Sequence, residues 1–245
     1  MTVVIPALNE AGMIRPCLEA LVSQTVPPDE ILVVDNGSSD ETVAIAESYP
    51  GVTVLREPRR GITYGRTTGF DAAASEVIAR IDADTVVARD WIATLKALFA
   101  ERPEVDAFAG GAGIAELSPH GRIWFSWWYR GFRAWHERSI GVRPMLYGFN
   151  SALRRTAWAR ARPLVTMDDR RVSEDVDVTV SLLLTGSRIE FSTRLRVKAH
   201  LFRSIDAGKL SEYYRTDDLT LARHGYGRPK RRARGLELLL AEERA

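Results

Sequence analysis

The first hundred residues alternate short runs of β-branched residues with longer segments of helical periodicity, and this alternation constrains the fold more than any other feature of the chain. Such an order is typical of a parallel sheet covered by crossover helices. At 245 residues and 45% hydrophobic composition, the chain can form one sizeable domain and does not require a second. We predict five strands in this half, at Val3–Ile5, Ile31–Val34, Val52–Leu55, Val77–Ile81 and Val105–Ala109.

The second half of the chain has a different pattern. After about residue 115, an aromatic-rich stretch is followed by a turn at Tyr147–Asn150, a helical pattern at about Ser173–Leu184, and short strands near Ile189 and Val197. We therefore predict an α/β fold with a Rossmann-like, mixed but mainly parallel sheet, flanked by helices in a single domain. Its predicted parts are residues 1–115, 116–205 and 206–245.

The C-terminal segment, residues 206–245, is distinguished by charge. A strongly basic run at Arg223–Arg234 contains two glycines and a proline, and we predict that it is the most mobile part of the chain. A short helix is predicted after it, at Leu236–Arg244.

Charge and cysteine content narrow the function classes. The 34 Lys and Arg against 32 Asp and Glu residues leave a formal charge of +2, so nothing in the composition indicates a nucleic-acid partner. Cys17 is the single cysteine, which excludes an intramolecular disulfide and fits a reducing cytoplasm. No signal peptide precedes the first strand, and no stretch reaches the roughly 18 apolar residues of a membrane span. We predict a cytoplasmic protein with, at most, peripheral membrane contact.

Ligands of a parallel sheet collect beyond the carboxyl ends of its strands. The first two strands are followed by polar loops, Pro6–Glu10 and Asp35–Asp40, whose side chains can hydrogen-bond a base or ribose. In the second loop, Ser38 and Glu41 also have the spacing of a helix-capping box. That structural role does not explain Asp35, so both interpretations stay open.

Two carboxylates, Asp82 and Asp84, follow the fourth strand with Ala83 between them. In extended geometry this spacing puts both side chains on one face, which suits a hard divalent cation that also holds two phosphates. The competing interpretation is an Asx turn that opens the next loop. The position at a strand end favours the cation site.

Two further carboxylates, Glu174 and Asp175, stand where a helix is predicted to begin. An N-cap at Ser173 and acidic residues in the first turn are favoured by the helix dipole alone, so a structural role is the more common one. At the edge of a pocket, such a carboxylate can instead act as a general base toward an acceptor hydroxyl.

A glycine-rich segment, residues 59–69, lacks the spacing of known phosphate-binding and dinucleotide-binding loops. Gly61 permits close backbone approach, and Arg60 or Arg66 can meet a phosphate, although a solvated basic turn is equally common. His200 is one of four histidines, and a lone histidine is more often a satisfied or surface residue than a ligand.

Taken together, these segments resemble family 2 glycosyltransferases with the GT-A fold. The resemblance covers residues 1 to about 205 and is specific in its N-terminal half and looser after it. It is carried by Val4-Ile5-Pro6-Ala7-Leu8-Asn9-Glu10, by Ile31 to Thr42, by Asp82-Ala83-Asp84 and by Glu174-Asp175.

The resemblance implies that residues 1–115 bind a nucleoside diphosphate sugar linked to UDP or GDP. Asp82 would lie near the ribose, and Asp84 would bind Mn²⁺ or Mg²⁺ across the diphosphate. His200 falls where some GT-A enzymes have a third metal ligand. The implied donor-binding residues are Pro6, Ala7, Asn9, Glu10, Asp35, Asn36, Gly61, Arg66, Asp82, Ala83 and Asp84.

The resemblance also implies that residues 116–205 form the acceptor-binding and catalytic half. Asp175 matches the catalytic base of the family, which implies a single displacement with inversion. The loop Gly148–Arg155 would close the donor-sugar and acceptor site, with acceptor contacts predicted at Asn150, Glu174 and Trp128. The chain lacks the Gln-x-x-Arg-Trp motif of processive polysaccharide synthases, so we predict non-processive transfer to a sugar, a small molecule or a lipid-linked acceptor.

Aromatic and cationic residues alternate across residues 122–136. On a helix, Trp124, Trp128, Phe132 and Trp135 share one face, and Arg122, Arg130 and Arg133 can reach lipid headgroups from elsewhere. One interpretation is a membrane-surface helix near a lipid-linked acceptor, at the inner face of the membrane. The other is a helix that packs over the acceptor cleft or against a second copy in a homodimer.

Two other function classes compete with a glycosyltransferase. A nucleotidyltransferase would need a basic, glycine-rich phosphate loop after the first strand, where Pro6–Glu10 supplies none. A nucleotide-sugar-binding scaffold without catalysis is disfavoured by the presence of Asp82, Asp84 and Asp175. A dinucleotide-dependent dehydrogenase is weaker still, because no Gly-x-Gly-x-x-Gly follows the first strand.

Overall fold

The computed structural model describes residues 1–114, 119–167, 172–200 and 207–242. Within these ranges, eight strands form one mixed sheet in a single domain, as predicted. They are β1 (Thr2–Ala7), β2 (Glu30–Asp35), β3 (Val52–Arg56), β4 (Val77–Arg80), β5 (Val86–Val87), β6 (Ala107–Ile114), β7 (Ser151–Arg154) and β8 (Ile189–Ala199).

The strands are ordered β3-β2-β1-β4-β7-β6-β8-β5 across the sheet. β1 pairs in parallel with β2 and β4, and β2 pairs in parallel with β3. β7 pairs antiparallel with both β4 and β6 and thereby joins the two halves of the chain. The carboxyl ends of β1, β2 and β4 therefore open onto one edge of the sheet.

The second half of the sheet differs from the prediction. The fifth predicted strand is β6, which begins two residues later and continues to Ile114. The two short strands predicted near Ile189 and Val197 are one strand, β8, which pairs with β6 through an irregularity between Ala109 and Gly111. β5 and β7 were not predicted, because two and four residues are too short to show an apolar period.

Helices cover both faces of the sheet. They are α1 (Ile14–Val22), α2 (Thr42–Glu47), α3 (Ile62–Ala72), α4 (Trp91–Glu101), α5 (Pro119–Ile140), α6 (Arg155–Ala161), α7 (Glu174–Leu184), α8 (Ala207–Arg223) and α9 (Pro229–Glu242). The apolar residues that recur at helical spacing in α1 are Ile14, Cys17, Leu18, Leu21 and Val22, and all are buried except Val22, which ends the helix and is about half exposed. The corresponding residues of α4, which are Trp91, Ile92, Leu95, Leu98 and Phe99, are all buried.

Alternate residues of β1 point into two separate cores. Val3 and Ile5 pack with α1 and α4, whereas Val4 packs on the opposite face with α3, α6 and α7. Gly69 of α3 lies directly against this second face, where an added Cβ would overlap Val4 Cγ1. The absence of a side chain at Gly69 therefore allows α3 to pack closely on the sheet.

The C-terminal segment is more ordered than predicted. The helix expected from Leu236 begins at Pro229, so much of the basic run belongs to α9, and α9 packs along α8. The two helices cross closely at Gly235, where a Cβ would overlap the carbonyl oxygen of Asp218. Arg231 also forms an ion pair with the buried Asp218. A buried partner of opposite charge explains why this part of the basic run is not a free tail.

None of the described helices is both long enough and apolar enough to span a bilayer.

Candidate active site

The loops that follow β1 and β2 are fastened to each other. Asn9 donates its backbone N–H to Ser38 Oγ at 3.0 Å, and its side-chain oxygen accepts the N–H of Ser39 at 2.8 Å. Asn9 has a φ of +54°, a left-handed conformation that asparagine tolerates better than most residues. The side chain of Asn9 thus fixes the shape of the strand-end edge.

The predicted capping box at Ser38 and Glu41 is wrong. The first residue of α2, Thr42, instead donates its backbone N–H to the carboxylate of Asp40 at 3.0 Å. Ser38 is used elsewhere, because its N–H donates to the buried carboxylate of Asp35 at 3.0 Å. Asp35 therefore lies at the end of β2 as predicted, beside the buried Pro6 and Ala7 of β1.

Asn36 connects the same edge to the loop after β3. Its amide donates to the carbonyl oxygens of Glu57 and Arg59, and its side-chain oxygen accepts the N–H of Gly61 at 2.7 Å. These three bonds occupy both ends of the buried amide. Asn36 therefore shapes the predicted nucleotide pocket, with Gly61, through backbone contacts.

The Asp-x-Asp segment lies beyond the end of β4 and is not extended. Thr85 donates its N–H to the carbonyl oxygen of Asp82 at 3.0 Å, which closes a turn, so the predicted same-face strand geometry is wrong. Ala83 is buried, Asp84 is half-buried, and 40% of the Asp82 side chain is exposed. Two carboxylates in a turn at the sheet edge still form a donor set that hard divalent cations prefer.

A buried arginine, Arg80, joins this segment to the second half of the molecule. Its guanidinium bonds Glu174 Oε2 at 2.7 Å and lies 3.3 Å from Asp82 Oδ1 and 3.5 Å from Asp175 Oδ1. Carboxylates more than ninety positions apart in sequence therefore meet around one cation. The Arg80–Glu174 pair is close and largely withdrawn from solvent, where such interactions are stronger than at the surface.

Glu174 is held on its other side by Arg66. Arg66 Nη1 donates to Glu174 Oε2 and to the Glu174 carbonyl oxygen, each at 3.1 Å, and Arg66 has no exposed surface. The prediction that Arg66 borders the phosphates is therefore wrong. The predicted acceptor contact of Glu174 is also not supported, because its carboxylate is engaged by two guanidinium groups.

Asp175 is the more open member of the acidic pair. About a quarter of its side chain is exposed, and its Oδ1 accepts the N–H of Gly148 at 3.0 Å. A Cβ on Gly148 would overlap the guanidinium of Arg80. The turn that begins at Tyr147 therefore brings a backbone donor to Asp175 only because residue 148 is glycine.

The pKa values of Glu174 and Asp175 are shifted in opposite directions. Burial raises the pKa of Glu174, but Arg80 and Arg66 overcome that effect and lower it to about 2. Burial and the neighbouring charge of Glu174 raise the pKa of Asp175 well above its usual range. Two adjacent carboxylates with pKa values moved apart are typical of catalytic sites.

The pKa of Asp82 is also raised, to about 6, by desolvation of the unexposed part of its side chain and by the charges of Glu174 and Asp84, against the opposing effect of Arg80. A bound cation would stabilise the ionised form of such a carboxylate. The described residues contain no group of three or more His, Cys, Asp or Glu side chains that could hold a metal unaided. Metals that bind with a nucleotide take other ligands from the phosphates, so one or two carboxylates fit this role.

Other predicted acceptor contacts are placed differently. Asn150 has no exposed surface, and its amide bonds Trp91 Nε1, the Gly111 carbonyl and the Leu195 carbonyl, so the predicted acceptor contact is wrong. The predicted closing loop Gly148–Arg155 is mostly β7 followed by the start of α6. Because Asn150 leads directly into a central strand, its side chain satisfies backbone groups in the sheet.

The comparison with protein families decides the classification. The model of the family described as Glycosyl transferase family 2 matches residues 2–160. The chain is a family 2 glycosyltransferase. Asp175 and helices α7 to α9 lie beyond the matched segment, so the family match covers the donor half and only part of the second half.

Relatives of this glycosyltransferase are similar over part of their length. It is 33% identical over 105 residues to an uncharacterized glycosyltransferase, YibD, of Escherichia coli strain K12, covering 41% of this chain and 30% of that protein. It is 26% identical over 200 residues to a glucosyl-dolichyl phosphate glucuronosyltransferase of Haloferax volcanii, covering 76% of this chain and 63% of that protein. The chain thus spans less than two thirds of the length of these relatives.

Solved structures confirm the GT-A fold of this glycosyltransferase. A mannosyltransferase from Pyrobaculum calidifontis, in complex with GDP-Man and Mn²⁺, is similar over 100% of this chain and 75% of that one, with a TM-score of 0.67 and 22% identity. Glucosyl-3-phosphoglycerate synthase from Mycobacterium tuberculosis, in complex with Mn²⁺, UDP and phosphoglyceric acid, covers 93% of this chain and 79% of that one, with a TM-score of 0.66 and 17% identity.

Sequence reasoning missed the most connected residue of this glycosyltransferase site. Arg80 stands inside the apolar run Val77–Ile81, where a charge is unusual. An arginine in a buried strand requires a partner of opposite charge, so that position was a signal for a buried acidic group. The partner itself could not be named from sequence, because Glu174 is 94 residues away.

Proposed function

We propose that this glycosyltransferase transfers a sugar from a nucleoside diphosphate sugar to an acceptor hydroxyl, without processivity, and that Asp175 is the catalytic base. The observation that carries the proposal is the cluster around Arg80, in which Asp82 of the donor half and Glu174 and Asp175 of the second half meet. A donor bound at the strand ends and a base at α7 would then face each other across one site.

The donor is proposed to occupy the edge formed by the loops after β1, β2 and β4. Pro6, Ala7, Glu10 and Asp35 would surround the nucleoside, and Asp82 would lie near the ribose. The neighbours of known structure bind GDP-Man or UDP together with Mn²⁺, which supports a UDP- or GDP-linked donor with Mn²⁺ or Mg²⁺. We propose Asp84 and the half-buried His200 as the protein ligands of that cation.

The proposed chemistry is a single displacement with inversion. Asp175 takes the proton of the acceptor hydroxyl while the acceptor oxygen bonds to the anomeric carbon and the bond from that carbon to the diphosphate oxygen breaks. When bound, the divalent cation neutralises the charge that develops on the departing diphosphate. The Gly148 N–H binds Oδ1 of Asp175 and helps to orient this carboxylate toward the acceptor.

We also propose a lipid-linked acceptor reached at a membrane surface through residues 122–136. Trp127, Trp128 and Trp135 of α5 are each more than half exposed, which favours a surface contact over a helix packed across the cleft. Tryptophan is enriched where proteins meet the membrane–water interface. The Haloferax volcanii relative is named for a dolichyl phosphate-linked substrate, which supports an acceptor of this class.

The proposal is tested with purified Asp84→Ala and Asp175→Asn variants and a panel of UDP- and GDP-sugars with Mn²⁺. We expect the wild type to release nucleoside diphosphate from one donor, and both variants to lose about a hundredfold or more of transfer while remaining folded. Asp90→Asn, an exposed carboxylate before α4, is the matched control and should retain full activity.

Three results would contradict the proposal. Near-normal transfer by Asp175→Asn would remove that residue from the mechanism. Formation of a nucleotide-sugar from a nucleoside triphosphate and a sugar phosphate would identify a nucleotidyltransferase. Tight binding of a nucleotide-sugar with no turnover toward any acceptor or water would identify a binding scaffold.

A further inference from the structure

Helix α8, which lies beyond the segment matched by the family, contacts the helix that carries the proposed base. Thr220 Oγ1 accepts the backbone N–H of Ser173, the residue directly before α7, at 2.8 Å. His224 directly follows α8, and its Nε2 lies 2.8 Å from Oδ1 of Asp177, in the first turn of α7. A carboxylate only accepts hydrogen bonds, so Nε2 of His224 carries the hydrogen. These two contacts flank Glu174 and Asp175 on both sides in sequence.

The first turn of α7 lacks a side-chain cap of its own. Ser173 stands at the N-cap position, but its side chain makes no capping bond to the helix, contrary to the sequence-based prediction. The fully buried Asp177 accepts the N–H of Thr166 with its second oxygen at 2.9 Å, so both of its oxygens are engaged. Thr220 and His224 therefore hold the two sides of this turn in place of a local cap, while Arg66 and Arg80 hold Glu174.

The same helix also contacts the loop that binds the other side of Asp175. Asp217 of α8 lies 3.0 Å from His136 Nε2, and His136 Nδ1 lies 3.2 Å from the hydroxyl of Tyr147. Gly148, the next residue, donates the N–H that Asp175 accepts. Asp217 is buried and little of His136 is exposed, so this chain of contacts is shielded from water.

We propose that α8 and the turn directly after it are the positioning element of the active site, and that Thr220 of α8 and His224 of that turn are positioning residues for Asp175. The first turn of α7 contacts Thr220 and His224, and the Tyr147–Gly148 turn is linked through His136 to Asp217 of α8. The inference deepens the proposed function, because it rests on Asp175 as the base. In a site of this kind, displacement of a reacting group by about 1 Å can reduce the rate by roughly a hundredfold.

Two threonines of α8 offer a matched pair of variants. Thr220→Val removes the hydroxyl that accepts the Ser173 N–H, whereas Thr216→Val removes a buried hydroxyl that bonds only the carbonyls of Glu212 and Tyr213 in its own helix. The two substitutions have the same volume change and lie one turn apart. We expect Thr220→Val to lower kcat about tenfold or more with an unchanged KM for the donor, and Thr216→Val to leave kcat within about twofold.

His224 supplies a second test that separates positioning from general stability. His224→Gln keeps an N–H at similar reach for Asp177 and should retain most of the wild-type kcat, whereas His224→Phe should lose about tenfold or more. The shift in melting temperature produced by UDP or GDP with Mn²⁺ should be the same in both variants, because the main contacts of α8 are with α5, α7 and α9. Equal kcat losses in Thr220→Val and Thr216→Val, or in His224→Gln and His224→Phe, would overturn the proposal.

Hydrogen exchange provides a readout that does not need turnover. In Thr220→Val, the amides of residues 172–178 and 145–150 should exchange faster than in Thr216→Val. Unchanged exchange in both segments would contradict the positioning role even if activity fell. If exchange were faster in Thr220→Val but Asp175→Asn kept full activity, the contact between α8 and α7 would be supported and the proposed role of Asp175 as the base would be refuted.

Discussion

Arg80 contacts three carboxylates, and its positive charge acts to lower the pKa of each of them. At Arg80 the closest partner is Glu174, whose pKa falls to about 2, while the pKa of the neighbouring Asp175 rises. A general base works best when its pKa is near the working pH. The directions of these two shifts favour Asp175 over Glu174 as the proposed base.

The pH profile of transfer should reveal this division. Asp175 is a base only when ionised, so kcat/KM should rise with pH as Asp175 loses its proton. Because the pKa of Asp175 is raised, the midpoint of this rise, the acid limb of the profile, should lie above the usual aspartate pKa of about 3.9. Glu174→Gln removes the neighbouring negative charge and should move that limb to lower pH. The measurement is kcat/KM from pH 4 to 9 for both proteins, and a limb that moves to higher pH in the variant would contradict the assignment.

Gly148 tests the link between Arg80 and Asp175. In Gly148→Ala, the new Cβ would overlap the Arg80 guanidinium and push away the N–H that bonds Asp175. We expect a loss of about 1–3 kcal/mol in the free energy of unfolding, measured in urea, together with reduced transfer. Gly12→Ala is the control, because an added Cβ there has no heavy atom within 4 Å. Equal stability of the two variants would show that the turn can move without cost.

The sequence predicted this site in part. The acidic residues could be found because motif spacing and strand ends are local properties. The arginines that set their charges could not be assigned, since Arg66, Arg80 and Glu174 meet only in the folded chain. The same reason explains Asn150, whose polarity indicated a ligand contact from sequence but which bonds backbone groups of the sheet.

At the scale of elements, α5 buries two charged side chains and exposes several aromatic ones. Arg133 and Glu137 are buried and paired at 2.7 Å, and Arg133 also bonds the Met145 carbonyl. The prediction that Arg133 reaches lipid headgroups is therefore wrong, because its charge is neutralised inside the protein. The predicted aromatic face is exposed at Trp128 and Trp135, and the Trp124 side chain lies outside the described side chains.

The exposed tryptophans of α5 should bind membranes. We expect the intact protein to sediment with vesicles that contain anionic phospholipid, and Trp127→Ala/Trp128→Ala to lose most of that binding. Arg194→Ala, an exposed cation on β8, serves as a control for nonspecific charge effects. Equal and negligible sedimentation of wild type and variant would refute the membrane contact, and a tryptophan-dependent dimer in light scattering would assign this face to a second copy.

Predictions of elements succeeded where the apolar pattern was long. The first four strands and the stripe of α4 follow directly from periodicity. The short strands β5 and β7 were not predicted, because they are stabilised by pairing with β8 and β4, which are distant in sequence. The start of α9 within the basic run was not predicted for a different reason, since this helix depends on acidic partners that are buried in α8.

At the scale of the whole molecule, one sheet joins the two halves of the chain, because β7 lies between β4 and β6. Arg80 at the end of β4 bonds Glu174 at the start of α7, which connects the proposed donor edge to the helix of the proposed base. The relative placement of the proposed donor and acceptor sites therefore depends on this sheet and on that contact. A hinge between separate domains is not needed to assemble the site.

Donor binding should stabilise the whole molecule. With UDP or GDP at about 100 times its Kd and Mn²⁺ present, the free energy of unfolding should increase by about 2.7 kcal/mol, which corresponds to a rise in Tm of roughly 5–10 °C. Removal of the metal with EDTA should abolish most of this shift, and Asp84→Ala should behave like the EDTA-treated wild type. A shift of equal size without metal would contradict a cation at Asp84.

Gly69 shows how far the control of chemistry extends from the reacting groups. It has no functional group, yet it sets how deeply α3 sits on β1, and Arg66 lies one helical turn away on the same helix. A methyl group at residue 69 would lift that turn outward and withdraw a positive charge from Glu174. Selection for altered catalysis in this enzyme can therefore act on spacing between backbones, at positions that no inventory of reactive side chains would include.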